Sequence, residues 1–232
     1  MDKYGRSRTI TDPYQTWDYK ARYSDRHGSE VTVIHNDGQE LSMVVRGITF
    51  KGWMFDDFGP DGVPPTQVMS TFTLQLGCLC ACSIDCQIPI FVSTGDENVD
   101  GALQLNLEIG PPASHGGVEF LNAKLSLALE TEMYATSGVS GFMENELLEL
   151  QKQLPPGVFV RTCLNCAFSD YSPYGHGLFG GLACFRSCKP QYGLVKSKQD
   201  LFQIWDQQAG LVQETFLCPE FERRIPRTGY RG

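Results

Sequence analysis

The nine cysteines are the residues of this sequence best suited to chemistry, and they form two groups with different spacing. The first group is dense, because the stretch GCLCACSIDC, residues 77–86, holds four of them. The second group follows in the last third of the chain and consists of Cys163, Cys166, Cys184, Cys188 and Cys218. Thiolates act as nucleophiles, redox groups and ligands for soft metals, so the spacing has to decide between these uses.

The first group has the spacing of a β-strand. Between residues 72 and 92 the apolar side chains occupy the even positions, and all four cysteines fall on them. Neighbours on one face of a strand stand roughly 6.6 Å apart with parallel side chains, whereas tetrahedral zinc needs converging sulfurs. We therefore expect core packing here, with a copper(I) site as the alternative. The run exceeds an ordinary strand, so it should bend or turn.

The second group has the spacing of a zinc site. Cys163 and Cys166 form a C-x2-C pair, which on a tight turn aims both thiolates at one point. Seventeen residues later comes a C-x3-C pair, a gap within the usual range for zinc ribbons. The pattern predicts structural zinc bound by Cys163, Cys166, Cys184 and either Cys188 or Cys218. Buried free thiols and thiol redox chemistry stay open as alternatives.

A loop rich in glycine and aromatic residues connects the two cysteine pairs of the second group. Aromatic side chains dominate the binding energy of many interfaces. We therefore predict a partner-binding loop formed by Tyr171, Tyr174, His176 and Phe179. The alternative is a surface loop whose aromatic residues cover a small core. His176 is also a candidate metal ligand or general base.

The elements that must position these residues change in character along the chain. Residues 1–30 are polar and lack periodicity, so we expect an extended arm. Residues 31–138 contain alternating apolar and polar positions, with an Asp37-Gly38 hairpin signal and clear half-buried strands over residues 102–109 and 121–129. This pattern predicts an antiparallel, β-sandwich-like region, with an open barrel as the alternative.

Residues 139–232 mix helices with short strands. FMENELLELQKQL has a helical apolar stripe that Pro155 ends, and SKQD predicts a helix capped by Ser197. The sequences GVFVRTC and LVQETFL read as strands. The expected fold class is therefore α+β, with the antiparallel β region followed by a smaller, zinc-stabilised α+β region.

The charge balance of the chain indicates which classes of partner it can bind. The net charge is −8, from 19 basic and 27 acidic residues, which opposes binding to nucleic acid and favours a basic protein partner. The exception is the final stretch, EFERRIPRTGYRG, which is either a phosphate or acidic-partner patch or a solvated tail. No segment looks like a signal peptide or a membrane span, so we expect a cytoplasmic protein.

The C-terminal half also carries a recognisable set of motifs. The sequences TCLNCAFSDYSPYG, LACFR, VQETFLCPEF and TGYRG resemble an uncharacterised bacterial family of unknown function, best over residues 158–232. The resemblance implies a bacterial cytoplasmic protein and no particular activity. Taken with the scarcity of catalytic motifs, we expect a non-enzymatic interaction module of the adaptor or immunity type. The alternative is a zinc-dependent hydrolase with cysteine ligands and His176 or water at an open position.

Overall fold

The structure is a computed structural model that describes residues 17–95, 97–173, 175 and 177–231. Its strands, in chain order, are β1 (Trp17–Asp25), β2 (Gly28–Asn36), β3 (Leu41–Val45), β4 (Ile48–Gly52), β5 (Gly59–Pro60), β6 (Leu74–Gln75), β7 (Cys78–Leu79), β8 (Cys82–Thr94), β9 (Asn98–Ile109), β10 (Leu121–Leu129), β11 (Glu132–Ala135), β12 (Val158–Arg161), β13 (Ser169–Tyr171), β14 (Leu182–Cys184) and β15 (Gly210–Val212). Its α-helices are α1 (Pro65–Val68), α2 (Met143–Gln153), α3 (Lys189–Tyr192) and α4 (Lys198–Gln203).

A ten-stranded antiparallel sheet dominates the fold, with nine strands in the order β11-β10-β9-β8-β1-β2-β3-β4-β5 and the tenth, β12, paired with β8. Strand β8 organises it, because one of its edges pairs with β9 throughout while the other pairs first with β1 and then with β12. The small sheets β13-β14-β15 and β6-β7 lie beside it. The antiparallel, β-rich α+β prediction is confirmed. Hydrogen bonds join the main strands into one sheet, however, and not into the two separate sheets of a sandwich.

Alternating side chains explain the strands. In β9, the positions predicted to be apolar and inward are buried, among them Leu103, Leu105 and Leu107. Strands β2 and β3 form the predicted hairpin, with Asn36 opposite Leu41. The positions of these strands could be predicted from the two-residue alternation of apolar and polar side chains.

The alternating stretch of residues 72–92, which is too long for one strand, turns as predicted. Leu76 and Gly77 both have positive φ between β6 and β7, and Ala81 has φ 50° just before β8. Beyond that turn, Cys82 and Cys86 point into the main core, and burial raises the pKa of the Cys82 thiol to about 12. The interpretation as core packing is therefore confirmed for Cys80, Cys82 and Cys86, whereas Cys78 in β7 is only half-buried.

The predicted N-terminal arm is wrong for residues 17–30. These residues form β1 and the start of β2, and β1 lies near the middle of the main sheet between β2 and β8. Tyr19, Ala21 and Tyr23 face the core, while charged residues between them face outward. A small alanine and two tyrosines give a weak apolar signal, so the alternation was missed. Residues 1–16 lie outside the described part of the chain.

The C-terminal region shares its core with the sheet. Leu147 and Leu150 of α2, Val160 of β12 and Val212 of β15 are buried in the same apolar cluster as the main strands. The two predicted helices are present, and the Ser197 side chain accepts a hydrogen bond from the Asp200 backbone N–H, as expected for an N-cap. Among the described residues, no helix is both long and apolar enough to cross a membrane.

Candidate metal centre

Four of the five C-terminal cysteines, carried by three segments, lie close enough to influence one another electrostatically. Cys163 opens a short 3-10 turn after β12, and the Cys166 N–H donates back to the Cys163 carbonyl at 3.2 Å. Cys184 ends β14, where it pairs with Ser169 on one side. Cys218 follows β15 in a turn closed by the Phe221 N–H. Tight turns at the C-x2-C pair and at Cys218 therefore flank the end of β14.

The electrostatics of these thiols reflect their proximity. Burial raises the pKa of the Cys163 thiol well above its ordinary value, and Cys166, Cys184 and Cys218 raise it further. Burial also raises the pKa of Cys184 to about 11, with Arg186 acting in the opposite direction. Cys218 behaves alike, with burial as the main cause and Cys166 as a contributor. The pKa of Cys163 thus reflects all three of the other thiols, whereas that of Cys184 reflects Cys166 and Cys218.

Cys188 stands apart from this group. It belongs to a second, smaller core together with Phe185, Tyr192 and Leu201. Burial raises its pKa, and none of the other four cysteines contributes to that shift. Of the two choices that the spacing left open for the fourth place, these interactions favour Cys218 over Cys188.

The four thiols are of the donor type that zinc prefers, but their arrangement is not that of a metal-bound site. Four sulfur donors are a standard structural zinc set, and their mutual repulsion as thiolates is what a divalent cation would relieve. Within the described residues, however, no three or more cysteine, histidine, aspartate or glutamate side chains stand as a metal ion would hold them. The four thiols are therefore candidate donors only, and binding a metal ion would need their sulfurs to move together.

The predicted partner loop is only partly surface. The Tyr171 side chain is buried and its hydroxyl donates to Glu214 Oε1 at 3.0 Å. Phe179 is fully buried and packs against Phe55, with ring centroids 4.9 Å apart. Neither ring can serve as an exposed contact, because the loop is anchored on the core by its aromatic residues. Tyr174 and His176 lie outside the described residues.

Sequence reasoning missed a buried polar network beneath this loop. Glu214 is fully buried and accepts hydrogen bonds from the Gly180 N–H at 2.6 Å and from Tyr171. Burial raises the pKa of the Glu214 carboxyl, and these hydrogen bonds oppose the rise. Asp170, also buried, accepts from the Tyr192 hydroxyl and from the Tyr230 backbone N–H. Isolated acidic residues beside short strands carry no sequence signal for such a network.

The chain belongs to a family of unknown function, DUF6304, whose family model matches residues 17–169. The expected membership of an uncharacterised family is thereby confirmed. The match covers mainly the β-rich part, whereas the motifs that suggested it lie mostly beyond residue 169. No curated protein and no solved structure matches the chain.

Proposed function

We propose that this protein is a non-enzymatic interaction module whose C-terminal half is stabilised by a structural zinc ion. The zinc ligands would be Cys163, Cys166, Cys184 and Cys218. The observation that carries the proposal is that these four thiols, from three separate segments, interact electrostatically with one another. Zinc binding to such a set stabilises the folded chain directly, because the unfolded chain has no assembled site.

The number of thiols favours a structural over a catalytic zinc. Catalytic zinc keeps a position open for water or substrate, whereas structural zinc has four protein ligands. Cys218 would fill the position that the hydrolase alternative assigns to His176 or water. The buried thiols are also poor nucleophiles as they stand, since the raised pKa of Cys163 and Cys184 keeps both protonated at neutral pH.

An exposed apolar patch supports the interaction role. Val31 and Val33 of β2 are 70% and 48% exposed, and Val44 of the neighbouring strand β3 is 51% exposed. The antiparallel pairing of Ile34 with Met43, continued by one residue, places Val33 opposite Val44. Apolar side chains clustered on an outward sheet face are typical of a contact surface. The net charge of −8 favours encounter with a basic partner.

The zinc part is tested by metal analysis of the purified protein and of two variants. We expect about one zinc per chain in the wild type and in Cys188→Ser, and loss of zinc in Cys218→Ser. The two variants make the same chemical change in the same half of the chain. A folded wild-type protein without zinc would contradict the zinc proposal and favour the alternative of buried free thiols. Equal loss of zinc in Cys188→Ser and Cys218→Ser would contradict the proposed ligand set.

The interaction part is tested with Val33→Lys, which places a charge in the patch at a position that is about half exposed. Proteins captured from native lysate by the wild type should be lost with this variant. A matched control is Val139→Lys, because Val139 is 75% exposed and far along the chain from the patch. Equal capture by wild type, Val33→Lys and Val139→Lys would contradict an interface at the patch.

A further inference from the structure

The C-terminal arginines surround a cavity of about 310 Å³. Its lining combines the side chains of Arg223, Arg224 and Arg231 with those of Gln151 and Asn165, and with the apolar surfaces of Phe159, Ile225 and Pro226. In a chain of net charge −8, three guanidinium groups around one cavity are a local reversal of sign. Ligand cavities usually begin near this volume.

The carboxylates of the same tail do not neutralise these arginines. Glu220 lies 3.6 Å from Arg186, and Glu222 lies 2.6 Å from Lys189. Among the described residues, Arg223 has no ion pair with a carboxylate, and its guanidinium stacks over the Phe159 ring at 4.2 Å. This stacking holds the charged plane at the cavity while leaving its N–H groups free for a ligand.

The other two arginines are fixed by mostly neutral acceptors. Arg224 donates to the carbonyls of Cys166, Ser169 and Thr228 and to the Tyr192 hydroxyl, none of which carries a negative charge. The structure therefore holds the Arg224 charge rigidly in place without cancelling it.

Arg231 is close to two carboxylates but not well paired with either. Its Nε lies 3.9 Å from Asp170 and its Nη1 lies 4.0 Å from Glu144. The Arg231 side chain is only 14% exposed, and its Nε is buried without a hydrogen-bond partner. Burial lowers the pKa of Arg231 and repulsion from Arg224 lowers it further. An anion in the cavity would relieve this repulsion.

We propose that this cavity binds a small organic anion, with a carboxylate or phosphate group facing the three arginines and an apolar body against Phe159, Ile225 and Pro226. Arg223 suits both oxyanions because its paired N–H donors match two oxygens. Arg224, whose N–H groups already donate to the protein, and Arg231, whose Nη2 does so, contribute mainly positive charge. The proposal does not depend on zinc or on the valine patch.

The test is isothermal titration calorimetry of the full chain with phenyl phosphate, benzoate, inorganic phosphate and phenol. We expect one or both aromatic anions to bind, and the tighter of the two identifies the preferred oxyanion. Phenol lacks the charge and inorganic phosphate lacks the ring, so each should bind at least about tenfold more weakly than the better aromatic anion. Failure of both aromatic anions to bind at about 10 mM would overturn the proposal. Phenol or inorganic phosphate binding as tightly as the better aromatic anion would also overturn it.

Variants at exposed positions separate this cavity from general charge effects. Arg223→Gln should weaken binding of the better anion about tenfold or more, whereas Arg227→Gln makes the same charge change outside the cavity and should leave binding within about twofold. Ile225 is 66% exposed, so Ile225→Asp should leave the fold intact and abolish binding by repulsion. Equal weakening by the two arginine variants, or undiminished binding by Ile225→Asp, would overturn the proposed site.

Discussion

Replacing Asp56 with asparagine should stabilise the protein at neutral pH, because this carboxylate is poorly accommodated. One of its oxygens, Oδ1, is buried without a hydrogen-bond partner. Burial raises the pKa of Asp56 from 3.8 to about 6, and the neighbouring Asp57 adds to the rise. The folded protein must therefore hold a charge that its surroundings disfavour.

The magnitude follows from the two pKa values. A pKa difference of this size corresponds to about 3 kcal/mol, and partial exposure of Asp56 reduces the expected gain to about 2 kcal/mol. A raised folded-state pKa means that stability is lost as pH rises from the unfolded value of 3.8 through about 6. The Asp56→Asn variant should therefore gain stability over the wild type above about pH 6 and converge with it near pH 4.

The assay is urea unfolding of both proteins at several pH values, in the presence of a reductant. Glu119→Gln is the control, because Glu119 is exposed and the substitution makes the same charge change. The control should stay within about 0.5 kcal/mol of the wild type. The reasoning would be refuted if Asp56→Asn lost stability at neutral pH, or if its gain were the same at every pH.

Two further predictions concern contacts that join distant segments. Gln213→Ala should lower the free energy of unfolding by about 2 kcal/mol, since Gln213 and Asn36 exchange two buried hydrogen bonds of 2.7 and 3.0 Å across 177 positions. Urea unfolding should show this loss in one cooperative transition, and separate transitions for the two halves would contradict the shared core. Arg46→Met should cost about 3 kcal/mol, because it leaves the Asp25 carboxylate without the guanidinium at 2.7 Å. Burial alone would raise the pKa of Asp25, but hydrogen bonds, led by those from Arg46, lower it below its ordinary value. The stability cost of Arg46→Met should therefore be greatest at neutral pH and shrink in acid. A cost that is independent of pH would contradict this reasoning.

The strands could be predicted wherever one face is strongly apolar. Residues 102–109 and the even positions of β8 show a period of two that is visible without any structure. The same period in β1 was missed because tyrosine and alanine alternate there with charged residues, and both faces look polar in the sequence. Pairing of β8 with β1 and β12 is long-range, and no local pattern specifies it.

The candidate site was predictable in its donor type but not in its membership. C-x2-C spacing predicts that Cys163 and Cys166 share one tight turn, and the structure places both there because the turn is a local feature of the chain. The choice between Cys188 and Cys218 depends on how β14 and β15 pack against the smaller core that contains Cys188. The spacing of cysteines along the sequence carries no information about this packing. The outward orientation expected of Phe179 was wrong for a related reason. Its glycine-rich surroundings suggested an exposed loop, whereas Phe55 and the main core bury the ring.

The central claim is tested most directly by X-ray absorption at the zinc edge of the purified chain. Zinc bound by Cys163, Cys166, Cys184 and Cys218 predicts four sulfur neighbours at about 2.3 Å and no lighter ligand in the first coordination shell. A shell with three sulfurs and one nitrogen or oxygen would instead support the open site of a hydrolase. A folded protein that contains no zinc would contradict the account.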